Sequence, residues 1–120
     1  MAHILVLDDV QDAGVLIQRI LSRKGHTVHA FTEEEECIEF VKKNPVDLAI
    51  LDMKLKKMSG MDVLEELKNI SPQIKVMMLT GYPTLETARE SLNLGAVEYC
   101  VKPIDKDELE TKVTEMLGEG

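Results

Sequence analysis

Ile4-Leu5-Val6-Leu7 is a continuous apolar run stopped by Asp8-Asp9, and the pattern returns in Val46-Asp47-Leu48-Ala49-Ile50-Leu51 before Asp52. A strand with one wet face alternates apolar and polar residues. A near-continuous apolar run of this length reads instead as a strand covered on both faces. Outward from the first run, Asp12–Lys24 carries Val15, Leu16, Ile20 and Leu21 on one helical stripe, with basic residues in its last turn and Gly25 as the stop. Thr27–Phe31 reads as a short second strand. Thr32 opens a second helix, with Glu35 at capping-box spacing. The acids Glu33–Glu36 read as a solvated helix start, where the helix dipole favours negative charge.

The alternation continues to the end. Pro45 closes the second helix, and Val46–Leu51 is the third strand. After the loop Met53–Gly60, a third helix presents Met61, Leu64, Leu67 and Ile70 and stops at Ser71-Pro72. Ile74–Leu79 is a fourth strand before Thr80-Gly81. Thr84–Leu94 is a fourth helix ended by Gly95, and Val97–Val101 is a fifth strand running into Lys102-Pro103. Asp105 and Glu108 form a capping pair for a last helix lined by Leu109, Val113, Met116 and Leu117. Five strand–helix units imply an α/β fold with a parallel sheet between helices and right-handed crossovers. Five is too few for an eight-fold barrel. The expected fold is a doubly wound (βα)5 sheet of flavodoxin-like order 2-1-3-4-5, whose ligand site lies beyond the carboxyl ends of the strands.

Composition sets the outer limits. The 120 residues are enough for one domain, expected to span 1–120. A net charge of −8 argues against direct nucleic-acid binding, which needs a basic surface. No apolar run reaches the roughly 18 residues of a membrane span, and the acids at 8 and 9 come too early for a signal peptide. Cys37 and Cys100 sit in apolar segments and read as buried thiols. The expectation is a cytoplasmic domain with no membrane contact. Met53, Met58, Met61, Met77 and Met78 read as core fillers, and His3, His26 and His29 have no metal-ligand spacing.

The residues that end the strands carry the chemistry. Strand one ends at Asp8-Asp9, strand three at Asp52, strand four at Thr80 and strand five at Lys102. Each alone is explained as a cap or loop residue. Together they bring three carboxylates, a hydroxyl and an ammonium to one rim. Two carboxylates about 4 Å apart repel by about 4 kcal/mol at an effective dielectric of 20, so three need a cation or protons. Hard oxygen donors with one lysine suit Mg²⁺. Mg²⁺ and Lys102 together balance the three acids and leave a site for a phosphoryl group. A carboxylate nucleophile would then give an acyl phosphate.

On these residues the chain resembles the receiver domains of two-component response regulators over essentially its whole length. The resemblance implies that Asp52 is the phospho-acceptor. It implies that Asp9 binds Mg²⁺ directly, Asp8 mainly through water, and that the Lys54 backbone carbonyl is a third ligand from the protein. It also implies that Thr80 and Tyr99 form a switch and that Lys102 is the site lysine before a cis Pro103. Lys54 and Tyr82 occupy the positions that bear on phosphoryl lifetime. Implied partners are a sensor histidine kinase or phosphotransfer protein, and an effector or output domain that residues 1–120 do not hold. A phosphorylation-dependent homodimer would use the surface of the fourth helix, fifth strand and fifth helix. Val10-Gln11 and Lys56 depart from the family pattern, since an acid or proline is usual after the acidic pair and a proline is common at the position of Lys56. The stretch Thr80-Gly81-Tyr82-Pro83 through Gly95-Ala96 is similar to receivers of enhancer-binding activators.

Two other classes compete with this signalling switch, which is not expected to be a multiple-turnover enzyme on an external substrate. A Mg²⁺-dependent aspartyl-phosphate phosphohydrolase of the haloacid-dehalogenase type usually has a second acid two residues after the nucleophile, where Lys54 stands, and a cap domain besides. A flavin carrier would put hydroxyls and glycines in the first loop, where Asp8-Asp9-Val10-Gln11-Asp12 would repel phosphate.

Overall fold

The computed structural model describes residues 1–118. The elements alternate as β1 (His3–Leu7), α1 (Gln11–Ser22), β2 (Thr27–Phe31), α2 (Glu34–Lys43), β3 (Leu48–Asp52), α3 (Gly60–Ile70), β4 (Lys75–Thr80), α4 (Leu85–Asn93), β5 (Glu98–Val101) and α5 (Lys106–Met116). The strands form one parallel sheet, as the strand–helix alternation predicts, in the order β2-β1-β3-β4-β5 expected for a flavodoxin-like fold and implied by the receiver resemblance.

The pleat divides the apolar strands between two cores. Leu5, Leu7, Ala49, Leu51, Val76 and Met78 face Cys37 and Val41 of α2 and Val63, Leu64 and Leu67 of α3. Ile4, Val6, Leu48, Ile50, Met77 and Leu79 face Ile17 and Leu21 of α1 and Leu109, Val113 and Met116 of α5. The unbroken apolar runs of β1 and β3 follow from this two-sided burial. Both cysteines are buried and free.

Several local expectations need correction. Helix α1 starts one residue earlier than Asp12 and ends two before Lys24, with Val10 as its cap. Its buried stripe is Gly14, Ile17 and Leu21, spaced 3 and 4, so Leu16 is turned outward and is 59% exposed. Leu16 lines an open groove with Ile20, Pro103 and Ile104 beside Asp8 and Lys102. Helix α2 is capped at Glu33, which makes no side-chain capping bond, rather than by a Thr32–Glu35 box. The full capping box belongs to α3, where Ser59 and Asp62 bond each other's backbone. Strand β3 starts at Leu48, not Val46, and takes in Asp52. Strand β5 excludes Val97, which is exposed, as is Val101, because the strand is at the sheet edge and pairs only with β4.

Candidate functional site

Parallel register aligns the strand ends. Leu7 pairs with Leu51, and Asp52 with Leu79, so Asp8, Asp52 and Thr80 emerge side by side. Thr80 pairs with Val101, and the Lys102 N–H donates to the Thr80 carbonyl at 2.7 Å. The Lys102–Pro103 peptide is cis.

Asp8 is buried, and each of its oxygens has a partner. Oδ1 accepts from the Val10 N–H at 2.9 Å, and Oδ2 accepts from Lys102 Nζ at 2.8 Å. Asp52 is also buried. Its Oδ1 lies 3.4 Å from Lys102 Nζ and accepts from the Lys54 N–H at 3.4 Å. Asp9 is half-buried. One carboxylate oxygen from each of Asp8, Asp9 and Asp52 falls within 4.8 Å of the others. Burial and then the Asp8 charge push the Asp52 carboxyl above its usual range, against the opposing pull of Lys102 and the Lys54 N–H. Burial works against the Lys102 ammonium, but its hydrogen bond to Asp8 and the charges of Asp8 and Asp52 outweigh it and raise the pKa. This donor set, all hard oxygen and in excess of positive charge, fits a divalent ion of the Mg²⁺ or Ca²⁺ kind.

The other residues singled out in the sequence fall around this cluster. Thr80 is buried at the end of β4, its Oγ1 accepting from the Tyr82 N–H at 3.0 Å. Tyr82 is 71% exposed, and Lys54 Nζ lies 4.2 Å from its ring centroid. Tyr99 is half-buried on β5. Its hydroxyl is 2.6 Å from Thr87 Oγ1 and accepts from the Thr84 N–H at 3.3 Å, which ties it to the start of α4.

Sequence reasoning missed Glu34. It is not a solvated acid but is 1% exposed, and its Oε2 accepts from the backbone N–H groups of Lys57 and Met58. Burial raises its pKa, but these two hydrogen bonds and further lowering contributions, among them the Lys57 charge, outweigh burial and hold the carboxyl below its ordinary 4.5. The available signal was spacing: Glu34, Cys37 and Val41, 3 and 4 apart, share the buried stripe of α2.

A doubly wound sheet that gathers three carboxylates, a hydroxyl and a lysine at its carboxyl edge defines a phosphorylation-signalling α/β domain. The chain belongs to the response regulator receiver domain family, whose model matches residues 4–114. It is 33% identical over 115 residues to the transcriptional regulatory protein ZraR of Klebsiella oxytoca, covering 96% of this chain and 26% of that protein. The chain thus spans about a quarter of that relative's length. It is 32% identical to sporulation initiation phosphotransferase F of Bacillus subtilis, covering 95% of this chain and 92% of that protein. A CheY-like receiver domain from Methanospirillum hungatei superposes with a TM-score of 0.95 at 33% identity, covering 99% of this chain and 95% of the other. Of the three classes left open by the sequence, the receiver is the one these comparisons match. No helix among the described residues is long and apolar enough to cross a membrane.

Proposed function

We propose that Asp52 is the phospho-acceptor of this receiver and that its donor is a phosphohistidine on a sensor kinase or phosphotransfer protein. The observation that carries this reading is the convergence of Asp8, Asp9 and Asp52 with Lys102 at one sheet edge. An Asp52 oxygen attacks phosphorus in line, the P–N bond breaks, and the imidazole leaves with its electron pair. Asp8, Asp9, Asp52 and the Lys54 carbonyl would hold Mg²⁺. When bound, the ion supplies positive charge to the equatorial phosphoryl oxygens. Lys102 supplies an ammonium held between Asp8 and Asp52, and Thr80, whose Oγ1 accepts from the Tyr82 N–H, supplies its hydroxyl hydrogen as a donor.

The aspartyl phosphate then biases Thr80 and Tyr99, and with them the α4-β5-α5 surface, toward a second state that effector proteins or a fused output domain would recognise. A phosphorylation-dependent homodimer would use the same face. The domain would occupy residues 1–120, act in the cytoplasm, and turn over only its own phosphoryl group. Acetyl phosphate with Mg²⁺ tests this reading. Intact mass should show one added phosphoryl group in the wild type and none in Asp52→Ala. Label persisting in Asp52→Ala would sink the assignment.

A further inference from the structure

The loop after Asp52 is closed at its neck and at its tip by different devices. At the neck, the Gly60 N–H donates to the Met53 carbonyl at 2.8 Å, and Lys54 faces Ser59 in an antiparallel bridge. The closure needs glycine at 60, because a Cβ there would overlap the Asp52 carbonyl oxygen and lie 2.8 Å from Met53 Cα. At the tip, Glu34 Oε2 accepts from the Lys57 N–H at 2.6 Å and the Met58 N–H at 2.9 Å. Two exposed ion pairs flank this contact, Glu33 with Lys56 at 3.2 Å and Glu35 with Lys57 at 3.4 Å. Solvent screens such pairs and they contribute little. Glu34 differs because it is 1% exposed and offers one carboxylate oxygen to two consecutive amides. Lys54 stands at the neck, three residues before the tip at Lys57, and its N–H rests on Asp52 Oδ1.

We infer that Glu34 is a positioning residue for phosphoryl transfer: its buried carboxylate fixes the loop tip and thereby the Lys54 backbone beside Asp52. The inference rests on the receiver reading of Asp52, with the Lys54 carbonyl as a metal ligand. Residues that orient a ligand from outside the site typically change metal affinity or activity by about 10–100-fold when removed. Glu34 supplies that orientation to a main-chain group from another helix.

The test compares wild type, Glu34→Ala, Glu34→Gln and Glu33→Ala as ¹⁵N-labelled proteins. The readouts are the Lys54 amide shift, the Mg²⁺ dissociation constant from amide titration, the acetyl phosphate labelling rate, and the thermal midpoint. Glu34→Ala should move the Lys54 amide and weaken Mg²⁺ binding about tenfold, with a comparable loss of labelling rate. Glu34→Gln, which keeps an acceptor oxygen, should restore most of both, and Glu33→Ala should behave as wild type. A folded Glu34→Ala protein with unchanged Lys54 shift and Mg²⁺ affinity, altered only in midpoint, overturns the inference. If Glu34→Ala does not fold, Glu34→Asp decides: it is one methylene too short to reach both amides, and wild-type Mg²⁺ affinity in it is equally fatal. A wild type that takes no phosphoryl group defeats the receiver reading separately, since the Lys54 shift reports positioning without any transfer.

Discussion

Lys102 Nζ lies 2.8 Å from Asp8 Oδ2 although 94 residues separate the two in sequence. Only the sheet order makes this contact, by placing β1 and β5 on either side of β3 and β4 with their carboxyl ends level. The lysine sits within reach of two buried acids, 2.8 Å from Asp8 Oδ2 and 3.4 Å from Asp52 Oδ1, and brings positive charge to both. Lys102→Met should therefore lower metal-free stability by about 1–3 kcal/mol, by leaving Asp8 Oδ2 without its charged partner. Mg²⁺ should raise the thermal midpoint of the variant by more than it raises that of the wild type, because a more negative site binds the ion more tightly. Melts of both proteins with and without millimolar Mg²⁺ check this. Equal Mg²⁺-induced shifts would mean that Lys102 and the metal do not compensate the same charges.

Glu34 gives the chain an acid-sensitive contribution to stability. Its folded pKa lies below the ordinary 4.5 because two backbone N–H groups and the Lys57 charge favour the carboxylate more than burial opposes it. The folded state therefore holds this proton more weakly than the unfolded chain does. The resulting stabilisation is complete above the ordinary, unfolded value of 4.5 and is lost as pH falls through the folded pKa. Glu34→Gln should be less stable than wild type by about 1–2 kcal/mol at pH 7. That difference should be constant above about pH 5.5 and shrink progressively below pH 4.5. Urea titrations across this range measure it, and a gap that widens on acidification would contradict the sign.

The topology was legible because buried parallel strands leave uninterrupted apolar runs, and the acids, threonine and lysine that end those runs fall at the carboxyl edge of the sheet. Leu16 and Glu34 were misread for one physical reason. Each helix has a buried stripe whose phase is set by what it packs against, not by its most apolar or most polar residues. In α1 the stripe passes through Gly14, whose small size hides it from a hydrophobicity pattern. In α2 it passes through a carboxylate whose partners are main-chain N–H groups 23 and 24 residues away, which leave no mark on side-chain spacing. The tie between Tyr99 and α4 was hidden likewise, since it depends on where a threonine hydroxyl ends up.

That tie makes Tyr99 testable as a switch in its own right. Its hydroxyl is bonded to Thr87 Oγ1 and to the Thr84 N–H, and Thr84 is also the residue whose hydroxyl caps α4. Any movement of the ring must break or carry these bonds. Tyr99→Phe should cost about 1 kcal/mol and shift the Thr84 and Thr87 amides. In the wild type, beryllofluoride with Mg²⁺ should move the same two amides as the acyl-phosphate mimic draws Thr80 inward. Shift changes confined to the loops around Asp52 would show a receiver in which Tyr99 does not respond.

Phosphoryl lifetime is where Lys54 and Tyr82 bear on function together. An acyl phosphate decays by in-line attack of water, so side chains at the lip of the site control access. Lys54 reaches over the Tyr82 ring, 4.2 Å from its centroid, and closes a contact between the loop after Asp52 and the loop after Thr80. A cation–π contact at an exposed position is worth about 0.5–1 kcal/mol, enough to keep the two side chains together for most of the time. Both side chains present hydrogen-bond donors at the lip, and neither offers a carboxylate or imidazole base to that water. Pro83 restricts the backbone at Tyr82 by disfavouring its helical region. The pair should therefore shield the phosphoryl group rather than hydrolyse it. Tyr82→Ala should dephosphorylate faster than wild type. Lys54→Ala should do the same, and the double variant should be little faster than either single one, since each substitution already opens the same contact. Phosphate release from purified phosphorylated proteins in Mg²⁺ gives the rates. A Tyr82→Ala rate equal to wild type removes Tyr82 as the shield, and fully multiplicative effects in the double variant would mean that the two side chains act separately.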